Sequence, residues 1–172
     1  MKGRALMSKS IAPQLRVVKG VTYNGNDEST VVDCIFCRIQ QRREPATIIF
    51  EDDEFFIFRT IDPATKLHLL VTPRQHIRNL QSLQSIEDVT LVKKMKEVGE
   101  KAILSVDSRA IDMKPIQFCF HVPPYNSIDH LHMHAIAFPH QMTYIGMIKY
   151  NTYLPFCEVA DNTIKRLLKS IK

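Results

Sequence analysis

Histidine occupies every second position of the stretch His130-Leu-His132-Met-His134, and apolar residues fill the positions between. In a β-strand, successive side chains point to opposite faces, so the three imidazoles would share one face and the apolar side chains the other. An alternation of this kind is typical of a half-buried strand. The stretch therefore predicts a sheet with a core on one face and three grouped imidazoles on the other.

The rest of the chain contains four more candidate strands. Two apolar runs flank the four acidic residues 51–54 and predict a β-hairpin. Of the other two, one stops at Pro73 and one lies upstream of the three histidines. The five predicted strands are Thr47–Phe50, Phe55–Phe58, Leu67–Thr72, Ile116–His121 and His130–Phe138.

Three helices are predicted, the first a short one into which the segment Cys34–Cys37 leads. Ser85 followed by Asp88 resembles a capping box, and apolar residues then recur at roughly helical spacing up to Leu104. Apolar residues between 164 and 171 predict a short amphipathic helix at the C-terminus. The order of strands, helix and strands predicts an α+β domain whose mostly antiparallel, five-stranded sheet accompanies one long helix and the short C-terminal helix.

Hydropathy and charge argue against two kinds of partner. No uninterrupted apolar run exceeds four residues, whereas a membrane-spanning helix needs about 20. The net charge of +5 lies in residues 1–26, which hold five basic residues and no acid, while the remainder holds 18 of each sign. A body without net charge has no bulk attraction for a phosphate backbone. We therefore expect neither membrane nor nucleic acid as a partner, and nonspecific nucleic-acid binding would need a local patch or the basic N-terminal stretch.

The acid-free N-terminal stretch is interpreted as a separate unit. We predict a basic, disordered extension over residues 1–30 and a folded domain over residues 31–172, because turn-forming residues cluster at 24–26. A mitochondrial transit peptide is the alternative, although Pro13 interrupts the stretch. We accordingly expect a cytoplasmic protein that also enters the nucleus, with the mitochondrion as the alternative compartment.

The cysteines suggest a reducing compartment and a second site. Cysteines at 34, 37, 119 and 157 are too few for a dense disulfide framework at this length. The spacing of Cys34 and Cys37 is typical of metal ligands or redox thiols. Two thiolates need two more ligands for a tetrahedral zinc site, and histidine is the usual supplement. The alternative is a pair of buried thiols without metal.

The shared face of imidazoles suits a metal or phosphorus chemistry. A histidine ring can attack phosphorus through one nitrogen while a hydrogen bond on the other fixes its tautomer, and water later cleaves the resulting phosphohistidine. The neighbouring imidazoles would then donate to the phosphoryl oxygens. Ser127 lies in the turn before the strand, where its hydroxyl could reach the same group or simply cap the loop.

These features together resemble the histidine triad superfamily. The three-histidine stretch is similar to its pattern His-x-His-x-His-x-x, in which x is apolar. The resemblance covers most of residues 31–140, through the segments Cys34–Cys37, Ile48–Glu54, Leu69–Ile77 and His121–His130. It implies the fold of that superfamily and a nucleotidyl hydrolase that cleaves adenosine phosphoramidates and acyl-adenylates through a nucleotidyl-histidine, releasing AMP.

The resemblance also implies catalytic roles. His132 resembles the nucleophile, His134 the histidine that contacts the phosphate, and Ser127 the hydroxyl near the leaving group. His68 resembles an upstream strand histidine that approaches the triad. A register slip of one residue would turn His68 to the other face of the sheet.

The nucleotide pocket departs from the family pattern. After Phe58-Arg59 the superfamily commonly has an acidic residue that accepts the ribose hydroxyls, but here Thr60 stands, with Asp62 two residues later. A threonine offers one hydroxyl where a carboxylate offers two oxygens. We expect Phe36, Phe58, Thr60 and Asp62 to contact the nucleotide, with a weakened hold on the ribose.

The resemblance further implies a structural metal. In zinc-bearing members, two cysteines are joined by one upstream histidine and by the first histidine of the triad. In this sequence the implied zinc ligands are Cys34, Cys37, His76 and His130.

Oligomeric state and two alternative functions complete the expectations. A homodimer is implied by resemblance alone, since superfamily members usually pair into a two-subunit sheet. A nucleotide-binding or protein-interaction module with little turnover is the first alternative, and Thr60 favours it. Aprataxin-like removal of adenylate from DNA ends is the second, disfavoured because no C-terminal Cys/His finger follows the triad.

Overall fold

The computed structural model describes residues 14–25, 27–111 and 115–170. In these ranges no helix combines the length and the apolar character needed to cross a bilayer. The chain forms, in order, β1 (Leu15–Val18), β2 (Val21–Asn24), β3 (Asp27–Cys34), α1 (Ile35–Gln40), β4 (Ile48–Glu51), β5 (Phe55–Arg59), β6 (His68–Pro73), α2 (Ile86–Val106), β7 (Gln117–His121), β8 (Met133–Ile136), α3 (Tyr144–Lys149), β9 (Cys157–Val159) and α4 (Ala160–Ser170).

Six strands form the central antiparallel sheet, in the order β4-β5-β6-β8-β7-β9. The α+β class is confirmed, and all five predicted strands are present in this sheet. The sixth strand, β9, was not predicted, because three residues are too few for an alternating pattern to be recognised.

One face of the sheet packs against the long helix. The capping box of Ser85 and Asp88 forms as predicted. Val92 and Met95 of α2 join Val71 and Met133 of the sheet in one buried cluster. Helix α4 begins at Ala160, about one turn before the predicted start, and packs beside α2.

The strand of the histidines is shorter than predicted. Only Met133–Ile136 pairs with its neighbours, whereas His130–Phe138 was expected, because the backbone before Met133 turns to bond elsewhere. The Leu131 amide, for example, donates to the Ile77 carbonyl at 2.7 Å. The alternation holds nonetheless: Leu131 and Met133 lie in the core with α2.

The prediction of disorder up to residue 30 is wrong for the part that the structure describes. Strands β1, β2 and β3 form a separate antiparallel sheet in which Val21 and Tyr23 are buried. The two-residue turn Lys19-Gly20 closes the first hairpin, with φ of 46° and 69°, as a tight hairpin turn requires. Few apolar residues of these strands are buried, so the sequence has no clear alternating pattern that would have predicted them. Residues 1–13, where a transit peptide would lie, are outside the described residues.

A short helix after β8 was also not predicted. Helix α3 begins after Thr143, whose hydroxyl accepts from the Gly146 amide at 3.0 Å. Gly146 sits against Ala64, since a Cβ at position 146 would lie 3.0 Å from the Ala64 Cβ. This close approach brings Lys149 and Tyr150 to the face of the sheet opposite α2.

Candidate active site and metal cluster

A cleft of about 420 Å³ opens on the face of the sheet opposite α2. Helices α1 and α3, the end of β5 and the loop between β7 and β8 form its walls. Seven of the predicted site residues line it: His132, His134, Ser127, Phe36, Phe58, Thr60 and Asp62. The structure therefore brings three of the four predicted catalytic residues and all four predicted nucleotide-binding residues to one cleft. The fourth predicted catalytic residue, His68, does not line the cleft and instead contacts His134.

His132 presents an unprotonated nitrogen. Its Nδ1 lies 2.7 Å from the His130 carbonyl oxygen. A carbonyl only accepts, so Nδ1 carries the proton and donates it, and the lone pair resides on Nε2. The Phe36 ring packs edge-on against the imidazole, with centroids 5.3 Å apart. The ring is thus held as a neutral base with one defined nucleophilic atom.

His134 has the opposite tautomer, set by a relay through His68. The Ala64 amide donates to Nδ1 of His68 at 3.1 Å, so His68 carries its proton on Nε2. That atom lies 3.0 Å from Nδ1 of His134 and donates to it. His134 must then carry its own proton on Nε2. Among the described residues this buried Nε2 has no partner, which leaves an N–H for a ligand.

The register of β6 against β8 explains the position of His68. Leu70 pairs with His134, and His68, two residues earlier, shares the face of Leu70. The register slip that would have turned His68 away does not occur.

Burial keeps the imidazoles of the cleft neutral. It lowers the pKa of His132 to about 4 and that of His68 to about 3, from an ordinary value of 6.5. Burial likewise lowers the pKa of His134 well below that value and also lowers the pKa of His121. At neutral pH each ring therefore has one N–H and one lone pair, and its hydrogen bonds decide which nitrogen is which.

Two residues that sequence reasoning missed complete this cluster. The ring of His121, at the end of β7, lies 4.7 Å from that of His134 and stacks on Tyr150 at 5.1 Å. The Nε2 atom of His121 lies 3.2 Å from the Lys149 carbonyl and donates to it. A lone histidine at a strand end and a tyrosine after a short helix give no recognisable pattern. Only the fold brings them together.

Ser127 reaches the cleft from the loop between β7 and β8. Its side chain is exposed and lines the same cleft as His132 and His134. Its hydroxyl is thus available to a ligand. The loop-capping alternative would instead have the hydroxyl bonded within the loop.

The nucleotide side of the cleft is only partly as expected. Phe36 and Phe58 are in edge-to-face contact at 5.3 Å and form its apolar wall. The Thr60 hydroxyl accepts the Asp62 amide at 3.3 Å. The Asp62 carboxylate pairs with Lys149 Nζ at 2.7 Å, which lowers its pKa. Asp62 therefore lines the cleft and is paired with Lys149 in this structure.

The four predicted metal ligands form a second cluster. Cys34, Cys37, His76 and His130 each offer one ligand atom, and these atoms lie within 4.8 Å of one another. The Nδ1 of His130 is 3.4 Å from the Cys34 sulfur and 3.6 Å from the Cys37 sulfur. Zinc bonds of 2.0 to 2.3 Å in tetrahedral geometry place ligands about 3.6 Å apart. The donor set and the spacing therefore fit zinc.

Neighbouring groups orient this cluster for a cation. The Nε2 of His130 lies 3.0 Å from the Pro73 carbonyl and donates to it, which directs the Nδ1 lone pair at the cysteines, as outer partners of metal ligands commonly do. A hydrogen bond from the Cys37 thiol lowers the pKa of Cys34. The cluster can thus supply a thiolate readily, and a thiolate is the form that binds zinc.

The sequence of this chain is similar to those of several known proteins. The family model described as scavenger mRNA decapping enzyme C-term binding matches residues 33–150. The adenosine 5'-monophosphoramidase HINT3 of Danio rerio is 36% identical over an alignment of 147 residues, and the match covers 83% of this chain and 87% of the relative. The bifunctional adenosine 5'-phosphosulfate phosphorylase/adenylylsulfatase HINT4 of Arabidopsis thaliana is 37% identical over 108 residues, or 62% of this chain and 71% of the relative.

Solved structures have the same fold. A HIT family hydrolase from Legionella pneumophila Philadelphia 1 is 28% identical, with a TM-score of 0.54, over 65% of this chain and 97% of that one. A histidine triad protein from Clostridium difficile is 27% identical, with a TM-score of 0.53, over 62% and 90% of the two chains.

Proposed function

The chain belongs to the histidine triad superfamily, and on that premise we propose that it is a nucleotidyl hydrolase that cleaves adenylate conjugates and releases AMP. Its substrates are adenosine 5'-phosphoramidates and acyl-adenylates. One observation carries the proposal: a lone pair on His132 Nε2 and an unpartnered N–H on His134 Nε2 in one cleft. These are the nucleophile and the donor that attack at phosphorus requires.

The first step is attack of His132 on the substrate's phosphorus. A bond forms between Nε2 and phosphorus, and the bond from phosphorus to the amine or carboxylate breaks with its electron pair leaving on that group. The positive charge that develops on the ring is stabilised by the Nδ1–H donating to the His130 carbonyl. His134 donates its Nε2–H to a phosphoryl oxygen, as preorganised donors do in acyl-transfer sites.

The leaving group decides where a proton is needed. An amine expelled from a phosphoramidate must gain a proton, whereas a carboxylate expelled from an acyl-adenylate need not. Ser127 is assigned to this position because its exposed hydroxyl lines the cleft. The hydroxyl passes its proton to the departing amine and regains one from the water that attacks phosphorus in the second step.

The second step restores the enzyme. Water attacks the nucleotidyl-histidine, its oxygen bonds to phosphorus, and the bond from phosphorus to Nε2 breaks. One proton of the water is released, AMP leaves, and His132 regains its lone pair. The low pKa of His132 makes the ring a good leaving group in this step.

Zinc has a structural part in this proposal. We propose that Cys34, Cys37, His76 and His130 hold it, since their spacing and donor types fit. When bound it would tie α1 to the segment that leads into β8, and no step of the reaction passes through it. The homodimer implied by resemblance stays a prediction, and so does the cytoplasmic and nuclear location.

Mass spectrometry of the intact protein tests the proposed reaction. Protein mixed with adenosine 5'-phosphoramidate is quenched during turnover in denaturant at alkaline pH, where phosphohistidine persists. We expect one adenylyl group on the peptide that contains His132, and none in His132→Asn. His140→Asn, which changes an exposed histidine of the described chain, serves as the control and should label normally. Turnover without a labelled intermediate would contradict the covalent route.

A binding module with little turnover is the second candidate. It is favoured by the weakened ribose position, where Thr60 replaces an acid and Lys149 engages Asp62. Such a module would bind AMP yet release none from the phosphoramidate, so the AMP assay separates the two.

A further inference from the structure

The tip of the first hairpin lies against the loop that carries Ser127. This loop, residues 122–130, joins β7 to the triad stretch, and the tip is the two-residue turn Lys19-Gly20 between β1 and β2. The two segments are more than 100 residues apart in sequence. Their contact is therefore a product of the tertiary fold.

Lys19 holds the loop with three hydrogen bonds. Its Nζ donates to the Pro124 carbonyl and to Oδ1 of Asn126, both at 2.6 Å. Its own carbonyl accepts the Asp129 amide at 3.0 Å. The side chain and the backbone of one residue thus fix the loop on both sides of Ser127.

Gly20 adds a packing contact on the far side of Ser127. A Cβ at position 20 would lie 2.7 Å from the Cδ1 of Ile128. The φ of 69° also favours glycine. Glycine therefore allows the hairpin to approach Ile128 at van der Waals distance.

A buried carboxylate ties the same hairpin to the loop a second time. Asp129 is 3% exposed, and it accepts from Asn126 Nδ2 at 2.8 Å and Arg78 Nε at 3.1 Å. The Tyr23 hydroxyl of β2 contacts it at 3.5 Å. Burial, with Asp129 nearby, raises the pKa of Tyr23 to about 12, so the phenol stays protonated and can donate.

Ser127 itself has no such support. Within the described ranges its side chain makes no hydrogen bond, and it is exposed. Its position depends on Asn126 and Ile128, the residues on either side, and the hairpin tip contacts both.

We infer that Lys19 is a positioning residue for Ser127: the hairpin tip holds the loop so that the serine hydroxyl meets the leaving group. The inference rests on the proposed function, since it deepens the role assigned to Ser127. A hairpin that only stabilised the fold would affect hydrolysis of both kinds of substrate. A hairpin that positions Ser127 should affect only the substrate whose leaving group needs a proton.

The test compares two leaving groups in a double-mutant cycle. Lys19→Met removes the ammonium and keeps an apolar stem. We expect it to lower kcat for adenosine 5'-phosphoramidate by about 10-fold or more with KM within about 2-fold, since small misplacements of a reacting group are costly. Hydrolysis of an acyl-adenylate should be nearly unchanged. In a Ser127→Ala background Lys19→Met should have little further effect, because the two residues act on one step.

Two matched variants control the experiment. Lys165→Met removes an exposed lysine of α4 and should leave both rates as in the unaltered protein. Lys19→Arg keeps a donor at the tip and should restore part of kcat for the phosphoramidate.

Several outcomes would overturn the inference. An equal loss of kcat for both substrates, an undiminished loss in the Ser127→Ala background, or no loss at all would each do so. If Ser127→Ala alone left the phosphoramidate rate intact, the proposed role of the serine would fail first. Hydrogen exchange gives a readout that does not depend on turnover: amides of residues 122–130 should exchange faster in Lys19→Met than in Lys165→Met, and equal rates would also overturn the inference.

Discussion

The Nε2 atom of His68 lies 3.0 Å from the Nδ1 atom of His134 on the neighbouring strand, and the bond between them fixes the tautomer of His134. The backbone amide of Ala64 starts this relay. The nitrogen of His134 that carries the proton is thus set by a residue that does not itself line the cleft.

Breaking the relay should reduce catalysis without removing a catalytic group. We expect His68→Leu to lower kcat by about 10-fold, because His134 would then hold its proton on either nitrogen. His68→Gln, whose amide can still donate to Nδ1, should retain more activity. Initial rates of AMP release measure both. Equal losses in the two variants would show that packing at position 68 matters and the relay does not.

The buried histidines should make the protein sensitive to mild acid. Burial lowers the pKa of His68 from 6.5 to about 3, so between these values the unfolded chain binds a proton that the folded chain does not. The free energy of unfolding therefore falls as pH drops below about 6.5, by up to about 1.4 kcal/mol per pH unit for each such group, and is unaffected above about pH 7.5.

Urea unfolding at several pH values measures this dependence. In His68→Gln, which has no titrating group there, the slope below about pH 6 should be smaller by roughly one proton. His121, His132 and His134 should still contribute in the same direction. A variant slope equal to that of the unaltered protein would contradict a neutral, buried His68.

Protein purified without chelator should contain one zinc per chain. Cys34→Ser should lose the metal and unfold at lower temperature, since binding of a structural metal is coupled to folding. The kcat of the folded Cys34→Ser protein should change little, although its unfolding temperature falls. Cys119→Ala is the control, because Cys119 is buried but lies outside the cluster. Elemental analysis without zinc in the unaltered protein would refute the proposal.

Restoring an acid at position 60 should tighten nucleotide binding. A carboxylate that accepts a ribose hydroxyl is worth roughly 1.5 to 3 kcal/mol, or about 10- to 150-fold in affinity. The ribose is remote from phosphorus and is held equally in ground and transition states, so KM should fall in Thr60→Asp while kcat stays nearly constant.

Asp62→Ala provides the comparison for this variant. Lys149 engages Asp62, so KM should change little when the carboxylate is removed. A KM that rises in Asp62→Ala and also rises in Thr60→Asp would mean that Asp62 already holds the ribose.

Much of the site could be predicted because its signals are local. The alternation of His130, His132 and His134 and the spacing of Cys34 and Cys37 are visible in sequence, and both clusters form in the structure. His68 and His76 came from resemblance, and the register of β6 confirms the face of His68.

The remainder depends on contacts that no short pattern encodes. His121 and Tyr150 join the cleft because α3 packs Gly146 on Ala64. The first hairpin was missed because its strands bury few apolar residues, and its stability comes partly from a distant loop. The turn Lys19-Gly20 was a local signal that could have revealed it, and the turn-forming residues 24–26, between β2 and β3, were a second.

His130 belongs to both clusters, but through different parts of the residue. Its ring faces the cysteines, while its backbone carbonyl accepts the Nδ1–H of His132. Every amino acid has a backbone carbonyl, so any substitution at position 130 that leaves the backbone in place keeps this hydrogen bond. We therefore expect side-chain replacement at position 130 to abolish the proposed zinc binding and still leave the His132 ring oriented. The proposed zinc site and the proposed hydrolytic chemistry thus make separate demands on one residue, the first on its side chain and the second on its backbone.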